Sequence, residues 1–334
     1  MLEAPPPQLR NVSHSSFVFR GFPELHRHRR LLALPFSAAY LWVLLGNSAL
    51  AYVILTAERL HGPMHLLICA LCVVDILVAT VILPSMLLGL LLDWTRVSLA
   101  GCLVQMFLTH FLSSLESSLL LAMALDRYVA VCRPLRYGDI MDSRMLLRLL
   151  LLTLLRSGAV MAALVGLAGS LRFCGSDTIQ HVYCDHMALV RLACGATDRN
   201  RAAGVAVIAC FVGVDIPLIL LSYGRILRAV LVAAAAGEDR LKAFHTCLTH
   251  LMVMMCFYLV GSVTFLSHNL DIPIATDANT VLGVVYILLP ATVNPVIYGV
   301  RTREIRDGLL KLLEPKKLTS VRPLKPKQTT AGQV

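Results

Sequence analysis

Three sets of residues in this sequence carry chemistry that a merely apolar chain would not need. The first is a pair of acids, Asp75 and Glu116, each set inside a long apolar run. Carboxylates so placed can share a cation, share a proton or hydrogen-bond to a further helix, and the bland alternative is a neutral packing acid. The second set starts at His110. Ser113, Ser114 and Ser117 follow at i+3, i+4 and i+7, which puts all four on one helical face. Such a stripe on a buried helix reads as the wall of a ligand pocket, with helix–helix hydrogen bonding as the alternative. Ser117 lies deeper and reads as structural. The third set pairs Asp126-Arg127-Tyr128 with Asn294-Pro295-Val296-Ile297-Tyr298. Arg127 can turn into the bundle and meet another helix while Asp126 holds it locally, and a snorkelling arginine is the simpler reading. Pro295 removes a backbone donor and marks a place to bend.

A bend, a mobile arginine and a buried acid suit a conformational switch better than catalysis. No ordered nucleophile–base pair is present, and no G-x-x-x-x-G-K, H-E-x-x-H or G-x-S-x-G motif occurs. No enzyme, no metal and no cofactor are expected. A monovalent cation near Asp75 and Glu116 is the one inorganic guest the acids admit.

The elements that must hold these residues follow from composition. Of 334 residues, 57% are hydrophobic and 15% charged, and the mean hydropathy is +0.73. A soluble domain carries about 25% charged residues, so a soluble enzyme and a disordered chain are both excluded. Apolar runs lie at about 31–56, 64–92, 99–125, 145–170, 202–233, 243–266 and 277–300. Each can cross a hydrocarbon core about 30 Å thick as a helix. The expected fold is an all-α membrane protein, a seven-transmembrane helix bundle. Residues 1–30 read as an extracellular tail and 31–300 as the seven-span bundle. Residues 301–314, with apolar positions 305, 309, 312 and 313 on one face, read as an amphipathic helix on the membrane surface. Residues 315–334 read as a disordered cytoplasmic tail.

With the N-terminus outside, the inner segments hold most of the lysines and arginines, as the positive-inside rule requires. The cluster Arg10, Arg20, Arg27, Arg29 and Arg30 before the first span runs against it. The sequon at Asn11 favours an exterior N-terminus as a glycosylation site. The net charge of +10 is thereby a topology signal, and no nucleic-acid partner is expected. Of ten cysteines, Cys102, Cys174, Cys184 and Cys194 fall on the exterior, an even set with three connectivities. The others lie in or beside spans as buried thiols.

The motifs together resemble those of a family. Gly46-Asn47, Leu60-His61-Gly62-Pro63-Met64-His65, the run Met123 to Tyr137 around Asp126-Arg127-Tyr128, Ser222-Tyr223, Lys242 to Cys247, and Pro290 to Tyr298 occur in order over most of the chain. The chain resembles a rhodopsin-like G-protein-coupled receptor and, within that group, an olfactory (odorant) receptor. Val104 to His110 and Tyr298 to Arg303 are similar to the class I, fish-like branch.

That resemblance implies a Cys102–Cys184 disulfide, leaving Cys174–Cys194. It implies a small odorant bound from outside near His110, Ser113 and Ser114, with Phe265, His268 and Asn269 on span six. It implies an activation switch built from Asp75, Glu116, Asp126, Arg127, Tyr128, Tyr223, Asn294, Pro295 and Tyr298. It also implies a stimulatory olfactory-type heterotrimeric G protein as partner, a rise in cyclic AMP, membrane lipid as surroundings, and a multi-pass location in the plasma membrane of olfactory cilia. Asn269 stands where acid-recognising members carry arginine. Losing that charge removes a bidentate carboxylate partner and points to a neutral alcohol, ketone, ester or lactone. The same scaffold serving a non-olfactory ligand is the second reading. A transporter would need paired repeats or a polar path, and neither is present.

Overall fold

A computed structural model of the chain describes residues 13–25, 28–232, 251–255, 257–263 and 275–313. Within them the main helices are α1 (Arg29–Thr56), α2 (Pro63–Leu92), α3 (Leu99–Cys132), α4 (Ser143–Gly169), α5 (Asp198–Val232), α6 (Leu251–Val263), α7 (Thr276–Arg301) and α8 (Arg303–Leu313). Six of these are long and apolar enough to cross a membrane, and α6 is a shorter apolar helix across the undescribed Cys256. The architecture is a seven-helix membrane bundle followed by an amphipathic helix.

Local sequence explains where helices start. Pro63 opens α2, where its missing N–H is no loss. Ser98 Oγ accepts from Gly101 N at 3.1 Å to cap α3, and Asp142 Oδ1 accepts from Met145 N at 2.7 Å to cap α4. The third helix runs past the apolar stretch to Cys132, because the polar residues after Leu125 leave the hydrocarbon without breaking the helix. α3 is the hub, packing on α2, α4 and α5, while α1 and α2 both meet α7. With no water to expel inside lipid, close packing holds such helices together. Gly46 shows the closeness required: a Cβ there would lie 3.0 Å from Pro295 Cβ on α7.

The stretch read as an N-terminal tail contains a strand. β1 (Ser16–Phe19) pairs antiparallel with β2 (Arg96–Ser98) and parallel with β3 (Thr178–Ile179). The resulting sheet, ordered β2-β1-β3, caps one end of the bundle. Beneath it Phe17, Met106, Phe173, Ile179 and Leu189 form a small core around Cys102 and Cys184. Four strand residues are too few for alternation to announce a strand, and its partners lie far away in sequence. At the other end α8 lays Ile305, fully buried, against the bundle.

Candidate functional site

The loop between α4 and α5 forms a lid under the sheet. Cys102 is bonded to Cys184 and Cys174 to Cys194. Gln105 Oε1 accepts from Cys184 N at 3.0 Å, a second tie between α3 and the lid. Just beyond, Asp185 Oδ2 accepts from Met187 N and Ala188 N at 3.0 and 3.1 Å and caps the helical turn His186–Val190. That turn aims His186 and Met187 down into a cavity.

The cavity holds about 800 Å³ of empty space, its mouth included. His110, Ser113, Ser114 and Ser117 form its α3 wall, so the whole predicted stripe faces it. Apolar walls come from Met161 and Leu164 on α4, Phe211 on α5 and Phe257 on α6. No lysine or arginine lines it among the described residues. His186 is buried, and Nε2 has no hydrogen-bond partner among the described residues. Burial first, then the neighbouring His110, lowers its pKa to about 4, so the ring is neutral near pH 7. Ser113 hydrogen-bonds Tyr286, whereas Ser114 Oγ donates back to Phe111 O at 2.8 Å.

At the cavity floor is a charge cluster that sequence reasoning missed. Arg156 Nη1 on α4 donates to Asp215 Oδ1 on α5 at 2.7 Å. Ser117 Oγ donates to Asp215 Oδ2 at 2.7 Å and lies 2.9 Å from Tyr258 Oη on α6. The guanidinium also sits 4.4 Å from the centroid of the Phe211 ring. Three helices thus meet at one buried carboxylate, and Ser117 ties in the fourth, α6, through Tyr258. The signal was available: Arg156 and Asp215 are charges inside apolar runs, as conspicuous as Asp75 and Glu116.

Farther from the lid, Asn294 Nδ2 donates to Asp75 Oδ2 at 2.9 Å, joining α7 to α2. Glu116 on α3 lies within electrostatic range of Asp75. Asp75 Oδ1, Glu116 Oε1 and Asn294 Oδ1 are buried without hydrogen-bond partners among the described residues. A set of carboxylate and amide oxygens fits a hard monovalent cation. Among the described residues no cluster of three His, Cys, Asp or Glu is placed for a metal ion.

At the far end of α3, Asp126 is fully buried. It holds Arg127 through Nε and Nη2 at 3.0 and 2.6 Å and accepts from Tyr137 Oη at 2.8 Å. Arg127 is thus held by Asp126, and Tyr137 is a further partner of the same carboxylate. Tyr128 is half-buried, and Tyr223 and Tyr298 are buried on α5 and α7. Pro295 lies inside α7. Asn11, Phe265, His268 and Asn269 fall outside the described residues.

The family model for olfactory receptors matches residues 36–316. The chain belongs to the olfactory receptor family. It is 40% identical to human olfactory receptor 52D1 over 301 residues, 89% of this chain and 94% of the relative. It is 36% identical to human olfactory receptor 52K1, covering 94% and 99% of the two chains, and 34% identical to human olfactory receptor 51E2, covering 91% and 95%. Relatives in the 51 and 52 groups fit the class I branch. This olfactory receptor family member is a multi-pass plasma-membrane receptor and not an enzyme.

Proposed function

We propose that this receptor binds a small, neutral, volatile or semi-volatile odorant from the extracellular side and activates a stimulatory olfactory-type heterotrimeric G protein, raising cyclic AMP. The observation that carries the reading is the cavity of His110, Ser113, Ser114, His186 and aromatic side chains beneath a disulfide-held lid. Its neutral His186 ring, the His110 imidazole and the serine hydroxyls suit the oxygen of an alcohol, ketone, ester or lactone, and its apolar walls suit the carbon body. Phe265, His268 and Asn269 are proposed to complete the wall on span six.

Two disulfides at the lid end argue that this end faces the oxidising exterior, leaving Arg127 and α8 inside. The N-terminus is then extracellular, with Asn11 open to glycosylation, and the C-terminus cytoplasmic. Olfactory cilia are the expected location. An odorant acts only by binding the active arrangement more tightly than the resting one. In the resting arrangement Arg127 is held by Asp126, which Tyr137 also bonds; activation releases it as α7 around Pro295 and the inner part of span six rearrange. Tyr128, Tyr223 and Tyr298 lie in that moving region. Asp75, Glu116 and Asn294 lie between pocket and G protein.

The test is a cyclic-AMP reporter assay on cells with confirmed surface receptor, using a chemically varied odorant panel. The expected result is a ligand-dependent rise, lost in Arg127→Ala and weakened at least tenfold in potency by His110→Ala. Short fatty acids emerging as the best agonists through an unaltered His110 cavity would contradict the neutral-ligand reading.

A further inference from the structure

A second cavity lies under the sheet, apart from the first. It is bounded by the N-terminal segment, the lid-side ends of α1 and α2, and the turn between α2 and β2. Its empty space is about 860 Å³, mouth included. Phe22, Met86 and Leu90, all buried, give it an apolar interior, and Trp94 forms an exposed wall.

Its charges sit at the mouth. Arg29 makes a two-armed ion pair with Asp93. Asp93 ends α2 in the left-handed region at φ 60°, the one non-glycine residue with positive φ among those described. Aspartate tolerates that conformation better than most residues. Arg20, two residues before Phe22, also lines the mouth and has no ion-pair partner among the described residues. Among the described lining residues the mouth thus carries two guanidiniums, of which Arg29 is paired with Asp93 and Arg20 forms no ion pair.

The walls are held in place. Arg20 N donates to Ile179 O at 2.9 Å, and Phe19 N to Thr95 O at 2.9 Å. Gly21 lies so close to the lid that a Cβ would collide with Val182. Gln105 Nε2 donates at 3.0 Å to Ser85 Oγ, which lines this cavity, while its Oε1 accepts from Cys184 N in the lid of the first.

We propose that this second cavity binds a free monoanionic amphiphile, a medium-chain carboxylate, with its head at Arg20 and its chain between Phe22 and Leu90. An apolar interior under the Arg20 guanidinium suits one negative charge on an apolar body. The first cavity, which no arginine or lysine lines among the described residues, is the wrong chemistry for that ligand. The inference is independent of which odorant the first cavity takes.

The sequence supplies the reporter. Trp42 and Trp94 are its only tryptophans. In the Trp42→Phe receptor, reconstituted with its disulfides intact into phosphatidylcholine discs, Trp94 reports alone. Titration with 2-bromodecanoate is expected to quench Trp94 saturably, over and above the linear quenching by its methyl ester. Arg20→Gln raises the half-saturating concentration about tenfold. Gly89→Leu fills the cavity, since a Cβ at Gly89 meets nothing closer than Thr95 Cγ2 at 3.6 Å, and it abolishes the saturable phase. Unchanged thermal unfolding midpoints show that the variants are folded. Discs carrying brominated-chain phosphatidylglycerol without free acid test a lipid head group as the anion. Saturable quenching there, displaced by decanoate, identifies the same site with a lipid guest. Purely linear quenching by both probes, or saturable quenching untouched by either substitution, overturns the proposal.

Discussion

Asp215 and Asp75 are both fully buried carboxylates in the middle of the bundle, and they are compensated in opposite ways. Asp215 has both oxygens engaged, one by the Arg156 guanidinium and one by the Ser117 hydroxyl. Asp75 has one oxygen on an amide and one without a partner among the described residues, and its acidic neighbour Glu116 adds a second such oxygen. A charge removed from water is tolerated when a fixed counter-charge and hydrogen bonds answer it. The Asp215 cluster meets that condition from within and therefore acts as a static tie between α3, α4, α5 and α6. The Asp75 cluster does not. Its open oxygens support the proposal that it takes something exchangeable, a proton or a cation, and so changes state. Ser117 and Glu116 are adjacent on α3, so one helix carries both the tie and the proposed switch.

The largest effect should come from breaking the tie. Arg156→Leu leaves Asp215 buried with no cation, and removing one partner of a buried pair costs about 3–5 kcal/mol. Arg156 is partly exposed, at 23% of its side chain, which places the loss toward the lower end. Surface level and the thermal unfolding midpoint of the purified receptor should both fall. Adding Asp215→Asn should recover most of the loss, because the stranded charge is then gone. A silent Arg156→Leu would erase the contrast between the clusters.

A third buried ionisable group sharpens it. His186, in the lid, needs neither counter-charge nor cation because its ring stays neutral. Asp185, His110 and Asn200 face it, and burial dominates in lowering its pKa from 6.5 to about 4. The folded state binds the proton less readily than the unfolded chain. Stability from this group is therefore complete above about pH 6.5 and declines as pH falls toward 4, by about 3 kcal/mol in all. The unfolding midpoint of disc-bound receptor measured from pH 7.5 to 4.5 should fall accordingly. His186→Gln should flatten that dependence.

Much of this was legible in the sequence. Long apolar runs announce helices because lipid forces every backbone group to pair within its own segment. The i+3, i+4, i+7 spacing from His110 put four residues on one helical face, and that face lines the first cavity. What stayed hidden depends on pairing between distant segments. β1 finds its partners in two separate loops. Arg156 and Asp215 each look like an isolated charge until α4 and α5 are packed on α3. Tyr137 meets Asp126 only because the chain folds back after Pro134. Sequence periodicity describes one element at a time, and these contacts belong to two or more.

The smallest effect is expected where the comparison is most delicate. Asp75→Asn keeps an oxygen for Asn294 Nδ2, now 2.9 Å from Asp75 Oδ2, and removes a buried charge that no fixed cation answers. Replacing such a group by a neutral one of the same shape is often neutral or stabilising, so the change should stay within about 1 kcal/mol. The informative readout is the counter-ion. The parent receptor should unfold at a higher temperature in sodium than in N-methylglucamine, a cation too large to enter among Asp75, Glu116 and Asn294. The Asp75→Asn receptor should unfold at the same temperature in both. A parent receptor indifferent to sodium, but with a midpoint that follows pH through Asp75, would assign the cluster to a shared proton instead. Either result leaves the Asp215 tie unmoved, because its counter-charge is built into the chain.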